Sequence, residues 1–123
     1  MNLPSKKKWH YTLQLFKDGE AITPPQTIKL TGRLPLPWFG GEVIKWLHEI
    51  TIQLETYVEF DNTIPHIALY DGNDKVVEEW DLLGVKTIAI EMEEEELEHA
   101  VTLRFEDVKY DSYVNGWKVR GKN

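Results

Sequence analysis

No cysteine occurs among the 123 residues. Disulfides, thiolate metal sites and a Cys nucleophile are thereby excluded, and a reducing compartment such as a cytoplasm is permitted. Serine is nearly as scarce. Ser5 and Ser112 are the only two, and neither sits in a Gly-x-Ser-x-Gly elbow. No apolar run approaches the roughly 20 residues of a membrane helix, so no membrane partner is expected. Basic charge is short as well: 14 Lys and Arg stand against 21 Asp and Glu, a formal charge of −7. A chain of that sign is not expected to grip phosphates over a large surface. Lys6, Lys7 and Lys8 are followed by no apolar segment, so no secretory signal is expected there. No glycine-rich turn leads from a strand into a helix to cradle phosphate. His10, His48, His66 and His99 include no pair at metal-ligand spacing. The expectation is therefore no catalytic residue, no metal and no cofactor. Carboxylates are abundant enough for some pair to meet by chance, which without a pocket is no argument for a glycosidase.

What the chain does have is 41% hydrophobic and 11% aromatic residues, enough to exclude a disordered chain and to fill one core. Residues 1–8 read as a flexible basic arm and residues 9–123 as a single domain. From Trp9 the pattern has period 2: Trp9, Tyr11, Leu13 and Leu15 share one face, with His10, Thr12 and Gln14 between them, as in a half-buried strand. Lys17-Asp18-Gly19-Glu20 is a turn, since Gly19 tolerates positive φ. Thr23-Pro24-Pro25 interrupts pairing. Residues 27–31 form a second short strand with Ile28 and Leu30 on one side. Residues 33–41, RLPLPWFGG, read as an irregular loop in which Trp38 and Phe39 either plug one end of the core or dock on a neighbouring subunit.

Residues 42–49 are the one helix expected. Val43, Leu47 and Ile50 follow i, i+4, i+7, Glu42 sits at the positive end of the dipole, and His48 near the negative end. From Ile50 to Phe60 the period returns to 2, which predicts one continuous strand. Asp61-Asn62-Thr63 ends it, and Pro65 opens another through Tyr70. Asp71-Gly72-Asn73-Asp74 is a hairpin turn. A partner strand over 75–82 follows, with Val76, Trp80 and Leu82 in one parity. Beyond Gly84, residues 86–92 form a strand with Ile88, Ile90 and Met92 facing one way. Glu93, Glu94, Glu95 and Glu96 read as a solvated acidic link, or as a charged ring if copies assemble around an axis. Val101, Leu103 and Phe105 then alternate. The parity breaks at Glu106-Asp107, where a β-bulge would restore it for Val108 and Tyr110. The fold class expected is mainly β: a β-sandwich or partly closed β-barrel with one short α-helix.

The order from Ala68-Leu69-Tyr70-Asp71-Gly72 through Val76 to Trp80, Leu82-Leu83-Gly84-Val85, residues 88–96 and a long strand over 100–113 resembles the C-terminal half of contractile-phage tail tube proteins. These are related to the hemolysin-coregulated tube proteins of type VI secretion. The expected helix falls where that family places its single one. RLPLPWFGG has no counterpart in the pattern, and the chain is shorter than typical members. The resemblance implies a homohexameric ring, stacked into a tube inside a sheath. DNA passes through without specific binding, the sheath and baseplate proteins are partners, and the location is the virion after assembly in a host cytoplasm. It implies subunit contacts, for which Lys6, Lys7, Lys8, Trp38, Phe39, Asp71, Gly72 and Asn73 are the candidates, and a lumen for which Glu93–Glu96 are. A baseplate tube-initiator or neck protein is an alternative within the same virion. A non-catalytic carbohydrate-binding or adhesion sandwich is another. It would need Trp9, Tyr11 and Trp80 facing solvent, whereas their parity with Leu13 and Leu82 argues for burial.

Overall fold

The computed structural model describes residues 8–32, 48–93, 98–114 and 117–120. They form ten strands: β1 (His10–Lys17), β2 (Glu20–Ala21), β3 (Gln26–Thr31), β4 (Glu49–Leu54), β5 (Ile64–Tyr70), β6 (Val76–Leu83), β7 (Lys86–Glu93), β8 (Glu98–Arg104), β9 (Asp107–Val114) and β10 (Trp117–Arg120). Hydrogen bonding runs β10-β9-β6-β5-β1-β3-β4-β8-β7, with β2 paired to β1. All these pairs are antiparallel. The path does not return on itself, so the sheet is open and not a barrel.

It doubles over at β3. Gln26, Thr27 and Ile28 pair with β1, whereas Lys29, Leu30 and Thr31 pair with β4. A strand that changes neighbours midway is how one sheet becomes the two layers of a sandwich. Leu13 and Leu15 of β1, Ile67 of β5 and Trp80 and Leu82 of β6 line one layer. Ile50, Ile52 and Leu54 of β4 and Val101 and Leu103 of β8 line the other, and all belong to one buried cluster with Ile28, Phe60 and Phe105. Each such side chain contributes roughly 1.5–3 kcal/mol by leaving water.

The period-2 segments locate the strands because alternation is what a half-covered sheet requires. Turn chemistry fixes two hairpins. Asp18 and Gly19 have φ of 52° and 81°, a pair of left-handed residues that closes β1 onto β2 with Lys17 opposite Glu20. Asp71 caps the other turn: its Oδ1 accepts the amides of Asn73 at 2.8 Å and Lys75 at 3.0 Å.

Several expectations change. Residues 33–41, with Trp38 and Phe39, and residues 42–47 of the expected helix lie outside the described residues. His48 is irregular and Glu49 opens β4, so the helix does not reach 49. The reason is β8 and the residue after it: Glu49 pairs with Arg104, whose Nη2 donates to Glu49 Oε1 at 2.7 Å, and Phe105 N donates to His48 O at 2.9 Å. The strand from Ile50 stops at Leu54 instead of Phe60. There the Gln26 side chain donates to Thr56 O at 3.1 Å and accepts from Thr56 N at 3.4 Å, replacing a strand partner. Phe60 is still buried, from an irregular segment.

Nor is there a bulged long strand over 100–113. Phe105-Glu106 is where the chain leaves β8 in one layer for β9 in the other. Gly84-Val85 makes the reverse crossing from β6 to β7. The two crossings lie side by side, with Glu106 N donating to Leu83 O at 2.9 Å. Gly84 has φ of 66°, and a Cβ there would come within 2.8 Å of the Glu106 carboxylate. Trp9 precedes β1 and is 61% exposed, outside the face formed by Leu13 and Leu15. Of the basic arm only Lys8 is described, and it is exposed.

Candidate functional site

The sheet ends on β7, residues KTIAIEME. One side of β7 pairs with β8; the other has no strand partner among the described residues. A register shift between Thr87 and Ala89 sets Ile88 into a bulge. Ile88 therefore does not share a simple alternation with Ile90 and Met92, as the sequence pattern predicts. Beyond the bulge Ile90 stands opposite Val101, and Met92 opposite His99. Directly opposed residues point to the same face. Val101 is wholly buried, so Ile90 points toward the core layer but extends past its cover. Ile88, Ile90 and Met92 are 43%, 51% and 56% exposed.

Soluble proteins usually blunt such an edge with charge, proline or a bulge. Here a bulge, Lys86 and Glu91 do part of that work, but three large apolar side chains stay about half in water. On the other face of this layer, Thr51 and Thr102 bond through their hydroxyls at 2.9 Å, flanked by Thr31, Gln53 and Ala100. Polar and small residues dominate there, and the apolar groups collect on β7.

A second cluster lies on the outer face of the opposite layer. His66 of β5 stands opposite Asp81 of β6. Its Nδ1 is 2.7 Å from Asp81 Oδ1, and its Nε2 is 2.7 Å from Glu79 Oε2. The hydrogen bond to Asp81 holds the imidazole above the ordinary histidine range against a partial burial that works the other way, and the charge of both carboxylates adds to it. The Glu79 carboxylate, then burial and Asp111, pushes the Tyr113 phenol of β9 up to about 12. At the rim of the core, Trp80 packs between Tyr11 and Tyr110, with ring centroids 6.1 and 5.5 Å away. Burial, then Glu78, raises the Tyr11 phenol.

A groove of about 410 Å³ crosses β3, β4 and β8, lined by Gln26, Lys29, Gln53, Glu55, Thr56 and Glu98. Its lining offers no hydroxyl–imidazole or thiol–imidazole pair for nucleophilic chemistry. Lys29 and Glu98 face each other there at 3.7 Å. Among the described residues no three His, Cys, Asp or Glu side chains stand where they could share a metal ion, and no helix is long and apolar enough to cross a membrane.

Of the residues singled out from sequence, Asp71, Gly72 and Asn73 form the β5–β6 turn, where Asp71 is engaged in holding the turn itself. Glu93 ends β7; Glu94, Glu95 and Glu96 lie outside the described residues, as do Lys6 and Lys7. The strand itself was visible as three alternating apolar residues, but neither its place at the end of the sheet nor its exposure was. His66, Glu79 and Asp81 were missed because a bulge between Leu69 and Tyr70 sets the register of β5 against β6, and Tyr113 because it comes from a third strand, β9. No protein-family model, no curated protein and no solved structure matches this chain.

Proposed function

We propose that this chain is a non-catalytic structural subunit that completes its sheet with sister copies, and that the assembly is the inner tube of a contractile phage tail. In that role homohexameric rings stack inside a sheath, meet a baseplate, and let DNA pass without gripping it. The observation that carries the reading is β7, a strand with one edge unpaired among the described residues and with Ile88, Ile90 and Met92 exposed at the end of an open sheet. An edge that is a liability in a monomer is a joint between identical copies. A head-to-tail joint that closes gives a ring.

Magnitudes favour a closed assembly over a pair. Covering the remaining exposed half of three apolar side chains is worth roughly 1 kcal/mol each, and each added ladder hydrogen bond roughly 1 kcal/mol net. Association costs about 4–15 kcal/mol in lost freedom. One strand pairing is then marginal, while a ring gives every subunit two joints. The net charge of −7 suits a conduit for DNA, since no extended basic face would stall it. The resemblance of residues 68–113 to tail tube proteins supplies the specific machine. The baseplate-initiator and neck roles share this joint and differ in what is stacked above and below.

The adhesion reading draws on Trp9, which is exposed. Trp80 is only 3% exposed, however, and Tyr11 packs against it, so the aromatic platform for sugar stacking is missing two of its three members.

Electron microscopy of the purified chain over a concentration series tests the proposal. Rings or tubes of constant diameter are expected, and Ile90→Lys with Met92→Lys should abolish them while leaving the circular dichroism spectrum intact. A monomer at millimolar concentration, or tubes unaffected by both substitutions, sinks it.

A further inference from the structure

The outer face of β5, β6 and β9 carries a continuous polar chain that the assembly reading does not use. Asp81, His66, Glu79 and Tyr113 follow one another across three strands: His66 Nδ1 is hydrogen-bonded to Asp81, its Nε2 lies 2.7 Å from Glu79 Oε2, and Glu79 acts in turn on the Tyr113 phenol. The proton count along it is decisive. A neutral imidazole has one N–H and can donate once. Here both ring nitrogens lie 2.7 Å from carboxylate oxygens. A carboxylate only accepts, so with Asp81 and Glu79 ionised neither partner supplies the missing proton. Both contacts are hydrogen bonds only when the ring carries both protons.

We propose that Asp81–His66–Glu79–Tyr113 is a proton-operated clasp, closed across β5, β6 and β9 while His66 is an imidazolium and loosened when it loses one proton.

The surroundings set what loosening does. β1 presents no charge to the ring: Gln14 stands opposite His66, and the Phe16 ring meets it edge-on at 6.0 Å. β6 presents Glu79 and Asp81. Behind them β9 places Asp111 opposite Glu79 and Lys109 opposite Asp81. With the imidazolium present, three carboxylates face two cations. Without it they face one, and a ring lone pair turns toward a carboxylate oxygen at 2.7 Å. That repulsion falls on the β5–β6 joint, which carries the far strands β9 and β10. The clasp is separate from the β7 edge and does not depend on any assembly.

The test is a titration of the His66 ring by nuclear magnetic resonance in the full chain, with denaturant unfolding from pH 5.5 to 9. The His66 ring should titrate above the ordinary histidine range, with both ring nitrogens protonated below its midpoint. Asp81→Asn and Glu79→Gln should each move that midpoint down. Tyr113→Phe should move it up, because Glu79 then has one donor fewer competing for its charge. His66→Gln should fold and should flatten the change in unfolding midpoint across this range. A midpoint at the ordinary value, one unmoved by both carboxylate variants, or a pH profile unchanged in His66→Gln overturns the proposal. The titration of the unsubstituted protein decides the matter even if a variant fails to fold.

Discussion

β6 and β7 are consecutive strands of eight residues each, joined by a single crossing at Gly84-Val85, and their compositions suggest the opposite of their fates. β6, VVEEWDLL, carries three acids. β7, KTIAIEME, reads as the more regular apolar strand. Yet β6 sits between β5 and β9 with Trp80 and Leu82 buried, while β7 closes the sheet with its apolar side chains in water. The difference teaches that burial follows from what lies opposite and alongside, not from hydrophobic content. β6 can hold Glu79 and Asp81 because alternate residues point outward, to His66 and Tyr113. β7 has strand pairing on one side only, and its inward-parity residues project beyond the cover.

The sharpest way to break this contrast is in β6. Trp80→Ala should destabilise by roughly 3–5 kcal/mol, because it empties a buried site between Tyr11 and Tyr110. Chemical denaturation measures it. Trp80→Phe should lose far less than Trp80→Ala. Trp80 Nε1 is buried with no protein partner among the described residues, so its removal deletes an unmet polar group along with some packing. A Trp80→Ala loss under about 1 kcal/mol would place Trp80 at the surface in solution and erase the distinction between the two strands.

The crossing between them comes next. Gly84→Ala should lower stability by about 1–2 kcal/mol, since an alanine at φ of 66° is strained and its Cβ meets the Glu106 side chain. Gly84→Ala combined with Glu106→Ala should recover part of that loss, by removing the flexible half of the conflict and leaving the backbone half. Equal losses in the single and double variants mean that φ alone is responsible.

The acids of β6 supply a smaller, pH-dependent effect that β7 should lack. The folded His66 is held above its ordinary value of 6.5. Its contribution to stability is therefore complete below the unfolded value and is lost as pH rises through the folded one. The unfolding midpoint should fall across that window, and His66→Gln should remove the fall. Tyr113 has the same sign further up: its phenol is raised from 10.0 to about 12, so stability should decline again between those values. Substitutions on β7 should leave both slopes unchanged.

Much of this architecture is legible in the sequence, and the reasons are local. Leu13 and Leu15, and Ile50, Ile52 and Leu54, alternate because each layer has one covered face. Asp18-Gly19 and residues 71–74 mark turns because few side chains tolerate positive φ. What was not legible depends on contacts between distant segments. β4 ends at Leu54 because Gln26, on another strand, takes the backbone of Thr56. The parity break at Glu106-Asp107 was visible, but a bulge and a crossing leave the same mark in a one-dimensional pattern. The His66 cluster hangs on a single extra residue. Counting back from Tyr70 opposite Val76 pairs His66 with Trp80, a core residue. The bulge at Leu69/Tyr70 moves the partner to Asp81, on the outer face. The exposure of β7 is likewise a property of the sheet order, which alternation does not encode.

The smallest expected effect on the isolated subunit is the one that bears most on assembly. Ile90→Ala should change the stability of dilute protein by no more than about 0.5 kcal/mol, since half of that side chain is already in water. At concentrations where copies associate, the same substitution should cost more, because the joint buries what the monomer leaves open. Measuring the denaturation midpoint of Ile90→Ala and the parent at low and high protein concentration separates the two terms. A difference that grows with concentration places Ile90 in a contact between copies. A large difference already present in dilute protein means that Ile90 is covered by its own chain, and β7 would then be an interior strand like β6.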